Sequence, residues 1–114
     1  MTPKDFHAAA LALPGATFDV KWGADRVYSV GGKMFASSAE EAAPRYSFKA
    51  SDLAYEHLIA QGHAIPAPYL ARAKWVQLVK IDALPDADLR AYLKEAHRIV
   101  ALGLTKKVRA GVGV

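Results

Sequence analysis

Along the chain, apolar positions switch between three- or four-residue spacing and strict alternation, and the switches mark out the elements. Thr2-Pro3-Lys4-Asp5 reads as a helix start: Thr2 suits the cap, Pro3 the first helical position, and Asp5 the positive end of the dipole. Phe6, Ala9, Ala10 and Leu13 then share one face, and Pro14-Gly15 stops the helix. Strands are predicted at Phe18–Trp22, Arg26–Val30, Lys33–Ser37 and Arg45–Lys49. Gly23-Ala24-Asp25 turns the chain between the first two. Gly31-Gly32 is a two-residue hairpin signal, because both glycines accept positive φ without steric cost. Residues 38–44 read as a polar, acidic loop. In the strand after that loop, Arg45, Ser47 and Lys49 alternate with Tyr46 and Phe48, the period of a strand with one buried face.

Ser51 caps a second helix, Asp52 to about Gln61, ended by Gly62. Ile65-Pro66-Ala67-Pro68-Tyr69-Leu70 is expected to be an irregular surface loop, since proline lacks a donor and restricts the residue before it. Trp75–Ile81 is the last predicted strand. Leu84-Pro85-Asp86 opens the longest helix, about 86–102, whose stripe of Leu89, Tyr92, Leu93, Ala96, Val100 and Gly103 aims at the core. Residues 105–114 are short of structure signals, so a single domain over 1–104 with a basic, flexible tail is expected. Strands joined by short turns must be antiparallel. The pattern therefore predicts a two-layer α+β sandwich, an antiparallel sheet with helices packed on one face.

Composition narrows the class. The chain has 114 residues, room for one domain with a real core, and 53% hydrophobic against 23% charged residues argues against disorder. It has no cysteine, which excludes disulfides, thiolate nucleophiles and metal sites built on sulfur. The start lacks a basic run followed by a long apolar stretch, and the longest apolar run, Ala8–Leu13, falls far short of the ~20 residues of a membrane helix. A cytoplasmic protein of bacterial type, without membrane contact, is the expectation. The net charge of +4 says less than its size suggests: through residue 95 there are 11 basic and 11 acidic residues, and the excess is Arg98, Lys106, Lys107 and Arg109. Basic residues near a helix end complement its dipole.

Candidate chemistry is sparse. His7, His57, His63 and His97 form no HExxH and no i, i+4 ligand pair, so surface or boundary positions explain them and no metal site or cofactor is expected. Glu40-Glu41 and Asp86/Asp88 lack a partner to shift a pKa, and Ser37-Ser38 lacks the Gly-x-Ser-x-Gly elbow. Gly31-Gly32 misses phosphate-loop spacing. No acid, base and nucleophile triplet is visible, so no catalytic residue is assigned and an enzyme has the least support.

Two patterns remain. The predicted strands carry Lys21, Arg26, Lys33, Arg45, Lys49 and Lys80 and no acid except at strand ends and turns, where Asp19, Asp25 and Asp82 stand. If helices cover one sheet face, the other could gather these cations and attract a phosphate backbone. Outward lysines on a half-exposed sheet, which also discourage edge pairing, are the plainer explanation. The second pattern is a proline-stiffened loop, Pro66–Trp75, holding Tyr69, Arg72, Lys74 and Trp75. It could form a small-ligand or backbone-contact surface, or pack Tyr69 and Trp75 on the core with the cations solvated.

Several blocks stand in a specific order: Leu13-Pro14-Gly15-Ala16, Trp22-Gly23, Val30-Gly31-Gly32-Lys33-Met34-Phe35-Ala36, Ser47-Phe48-Lys49-Ala50-Ser51, Ile65-Pro66-Ala67-Pro68-Tyr69 through Lys74-Trp75-Val76, and Leu84-Pro85-Asp86. Over about residues 2–104 the chain resembles the MmcQ/YjbR family. The resemblance implies a frataxin-like fold. It also brings the family's customary label of DNA-binding protein, which rests on similarity to a double-wing type of domain, and no catalytic residues. Two departures count. Many members carry a longer polar, His-containing segment where this chain has Tyr69-Leu70-Ala71-Arg72-Ala73-Lys74, and a Ser-Tyr pair where it has Ala96-His97. Iron binding does not follow from the frataxin comparison, since only Asp5 is acidic in the first helix. The leading expectation is a non-enzymatic domain contacting DNA through Lys21, Lys33, Arg45 and Lys49, with Arg72 and Lys74 adding loop contacts. The alternative is a protein- or small-ligand-binding module built on the Pro66–Trp75 loop, with Tyr69 and Trp75 at its centre.

Overall fold

The chain begins in helix α1 (Pro3–Leu11), where the Thr2 hydroxyl accepts a hydrogen bond from the Asp5 N–H at 3.2 Å and Pro3 takes the first turn. The structure is a computed structural model and describes residues 1–21, 25–39, 43–68 and 70–114. The predicted turn at Gly23-Ala24, together with Trp22, Glu40-Glu41 and Tyr69, lies outside the described residues.

Six strands form one sheet: β1 (Ala16–Lys21), β2 (Asp25–Val30), β3 (Lys33–Ala39), β4 (Arg45–Lys49), β5 (Ala64–Pro66) and β6 (Trp75–Leu78). Their order is β1-β2-β3-β4-β6-β5, and every neighbouring pair is antiparallel. Gly31 and Gly32 close the β2–β3 hairpin with φ of 58° and 81°, the left-handed pair that a two-residue turn requires. Tyr28 pairs with Ala36 and Ser29 with Met34, so Phe35 is an extra residue in a bulge. The bulge lets Phe35 and Ala36, adjacent in sequence, both bury in the core.

Helices α1 and α3 (Asp86–Leu102) pack on one sheet face, while α2 (Asp52–Ala60), capped by the Ser51 hydroxyl, lies against β5 and β6. Phe6 from α1 stacks on Tyr46 at 4.3 Å, and Leu89 and Leu93 from α3 complete the same core with Tyr28, Phe48 and Val76. The two-layer α+β architecture follows the sequence expectation.

Four local differences have physical reasons. Pro66 ends a short strand instead of belonging to an irregular loop; β5 is an edge strand, where a missing N–H breaks no ladder. Strand β6 stops at Leu78, so Lys80 is not a strand residue. His97 is buried instead of lying at the surface: its Nε2 sits 2.6 Å from the Pro14 carbonyl and its ring edges onto Phe35. Residues 105–114, expected as a tail without structure, form α4 (Lys106–Val112), capped by the Thr105 hydroxyl at one end and by Gly113 at the other. Leu104 and Val108 approach Gly31, and Val112 approaches Gly15.

Candidate ligand cleft on the open sheet face

Antiparallel register sorts each strand residue to a face. Phe18, Tyr28, Val30, Ala36, Tyr46, Phe48 and Val76 turn towards the helices, and the opposite parity forms the open face. Two rows cross that open face. One runs Lys21–Asp25–Ala39–Arg45 over β1 to β4. The next runs Asp19–Val27–Ser37–Ser47–Gln77–Ile65 over all six strands. Neighbouring residues in a row stand about 5 Å apart.

The cations converge only in part. Lys21, Arg45 and Lys49 lie on the open face. Arg26 pairs with Val20 and Ser38 and Lys33 pairs with Val30, which puts both on the helix side, Lys33 at the hairpin end. Asp19 lies inside β1 and Asp25 is the first residue of β2, and both stand on the open face beside these cations. Asp25 sits directly opposite Lys21, so the row alternates in sign. Among the described residues the open sheet face is nearly neutral.

The loop after β5 folds back over this face. The Ala67 N–H donates to the Trp75 carbonyl at 3.0 Å, and the Trp75 N–H to the Leu70 carbonyl at 3.2 Å. A 3₁₀ turn, Ala71–Ala73, ends at Lys74 with φ of 60°, the left-handed conformation that reverses the chain into β6. Lys49 fastens the turn by donating from its ammonium to the Ala73 carbonyl. Lys74 reaches the other way, its ammonium 4.8 Å from the centre of the Tyr55 ring on α2. Two of the six proposed backbone-contact residues are therefore occupied in holding the loop. Arg72 is exposed on the turn, and Trp75 is 5% exposed, packed as a core residue of the open side.

Between loop and sheet lies a cleft of about 500 Å³. Ser37, Ser47 and Gln77 line its floor, side by side on β3, β4 and β6. None of the three side chains makes a hydrogen bond to another described residue. Met34 and Ala39 lie to either side of Ser37 along β3, and Ala67, Pro68 and Leu70 supply the loop wall. Asp25 and Arg45 stand together at one end. The alternation of 45–49 placed Ser47 on the polar side of its strand but had no means of joining it to Ser37 or Gln77, because register across strands is set by distant pairing.

Other candidate groups serve the fold. His7 Nδ1 is 2.8 Å from the Tyr28 hydroxyl, and Asp86 pairs with the Met1 amine at 3.1 Å. The Tyr46 hydroxyl donates to the Met1 carbonyl at 2.7 Å; burial, then the carboxylates of Asp5 and Asp86, push its pKa up to about 12. Arg98 holds the Glu95 carboxyl below its usual range through a hydrogen bond on the surface of α3. Among the described residues no cluster of three or more His, Asp or Glu is placed to hold a metal, and no helix is long and apolar enough to cross a membrane.

Comparison with known proteins gives the lineage. The profile of the YjbR family matches residues 11–99. A crystal structure of a Deinococcus radiodurans protein with a DUF419 domain superposes with a TM-score of 0.86 at 22% identity, covering 99% of this chain and 88% of that one. At that identity the likeness speaks for the fold alone. No curated protein matches.

Proposed function

The chain belongs to the YjbR family, and we propose that it is a binding module whose ligand seats between the open sheet face and the Ala67–Lys74 loop. The observation that carries this reading is the row Ser37–Ser47–Gln77, three adjacent polar side chains on a cleft floor without hydrogen-bond partners among the described residues. Concave sites that combine apolar walls with a few convergent polar groups are the usual form of small-molecule sites, and about 500 Å³ falls within their size range. Amide NMR with a fragment library tests it. Perturbed amides should cluster at residues 34–39, 45–47, 67, 70 and 77, and filling the cleft with Ser47→Tyr should abolish them while the melting temperature holds. Fragments that bind undiminished to the filled variant would refute the assignment.

Nucleic-acid backbone contact is the second reading, favoured by Lys21 and Arg45 sharing one face, with Arg72 exposed on the loop above it. Asp19 and Asp25 on that face weigh against it. Three phosphate contacts give a log–log salt slope near −2.7, so raising salt fourfold would weaken binding about 40-fold. An anisotropy titration of duplex DNA at two salt concentrations reads this directly. Lys21→Glu should matter and Lys33→Glu should not.

A further inference from the structure

Resting on the cleft reading above, we propose that the ligand is an uncharged planar heteroaromatic ring with donors and acceptors along its edge, such as a pyrimidine-dione, a purine or nicotinamide. Two hydroxyls and one carboxamide, spaced by strand separation, form a neutral ladder of donors and acceptors about 10 Å long. Such a ladder satisfies an edge that carries both C=O and N–H groups. A hydrocarbon would instead leave Ser37, Ser47 and Gln77 desolvated without partners, which is the most costly outcome for a buried polar group.

The walls exclude the opposite extreme. Met34, Pro68 and Leu70 are apolar, and apart from the floor only Asp25 and Arg45, at one end, can bond hydroxyls, so a sugar, which carries them on every side, would leave most of them unmet. Ring faces suit them: a thioether makes favourable contacts with an aromatic ring, and Pro68 and Leu70 offer flat apolar surface. The cleft's volume accommodates a ring with a substituent and not a base-paired duplex. The same ring chemistry is available from a free heterocycle or from an unpaired base in a single strand, and the two sources differ only in what hangs outside the cleft.

Amide NMR titrations with uridine, adenosine, nicotinamide, ribose, toluene and a short single-stranded oligothymidine decide the matter. At least one heterocycle should shift the amides of Met34, Ser37, Ser47, Leu70 and Gln77, while ribose and toluene should not. Gln77→Leu and, separately, Ser47→Ala should each weaken that binding about 5–20-fold, and Thr17→Ala, on the far edge strand, should leave it unchanged. Having two variants guards against either one failing to fold, which a thermal melt reports. Tighter binding of the oligonucleotide than of the mononucleoside assigns the strand as source; equal or weaker binding assigns the free heterocycle. Ribose or toluene shifting the cleft in place of the heterocycles overturns the proposal and leaves the cleft reading intact. Silence from the whole panel also overturns it, and if the fragment library is silent at the cleft too, both readings fall together.

Discussion

Replacing Gly15 with alanine measures whether residues 105–114 belong to the fold. Gly15 has φ of +67°, and an added Cβ would lie 2.8 Å from the Val112 carbonyl oxygen and 3.3 Å from Val112 Cβ. Gly32 is the natural control: its φ is +81°, and a Cβ there meets nothing within 4 Å. Left-handed backbone costs an L-residue about 1–2 kcal/mol, and the stiffer unfolded chain returns part of that, so Gly32→Ala should lose about 1 kcal/mol. Gly15→Ala carries the same strain plus a clash against backbone, which cannot rotate away as a side-chain tip can. The chain has two ways out. Absorbing the overlap costs about 1–3 kcal/mol. Releasing α4 exposes Val112 and Val114, both half-buried, for about 1.5–3 kcal/mol. The two exits are comparable, so Gly15→Ala should lose about 3 kcal/mol in all. Urea titration gives these values, and the corresponding melting shifts are about 4 °C for Gly32→Ala and about 12 °C for Gly15→Ala. A chain ending at residue 104 completes a double-mutant cycle: the excess cost of Gly15→Ala should vanish there. Equal losses for the two glycines, or an excess that survives truncation, would refute the docking of α4.

Three further predictions concern the core and the loop. Tyr46 titrates at about 12 in the fold against about 10 when unfolded, so its contribution is full below pH 10 and is lost between pH 10 and 12; wild type should lose about 2–3 kcal/mol over that window in alkaline urea titrations, and Tyr46→Phe should lose less. At Lys74, whose φ is 60°, glycine relieves backbone strain as it loses the contact with Tyr55, so Lys74→Gly should be near neutral in stability, whereas Lys74→Val should be less stable than Lys74→Gly by about 1–2 kcal/mol. Lys49→Met removes the bond to the Ala73 carbonyl, and hydrogen exchange of the Leu70 and Lys74 amides should quicken about 5–10-fold while exchange in β2 and β3 stays unchanged.

Features decided by near neighbours were legible in the chain. Thr2 and Ser51 cap helices because the bond they make spans three residues, and Gly31-Gly32 turns a hairpin because each glycine alone accepts positive φ. The alternation of 45–49 put Tyr46 and Phe48 inside for the same local reason. Tertiary pairing decided the rest. The bulge at Phe35 shifts which residues of β3 face the helices, and nothing in Met34-Phe35-Ala36 announces it. Asp19 and Asp25 joined the open face, and Arg26 and Lys33 left it, once strand limits and register were set by contacts far apart in sequence. Likewise Ser37, Ser47 and Gln77 became one row only by the pairing of β3, β4 and β6, and α4 became structure because Gly15 and Gly31 leave room for its apolar side. Backbone preference acts within a few residues, whereas a binding surface is the sum of long-range registers, so the sequence determined the elements and their layering and only the folded sheet determined the cleft.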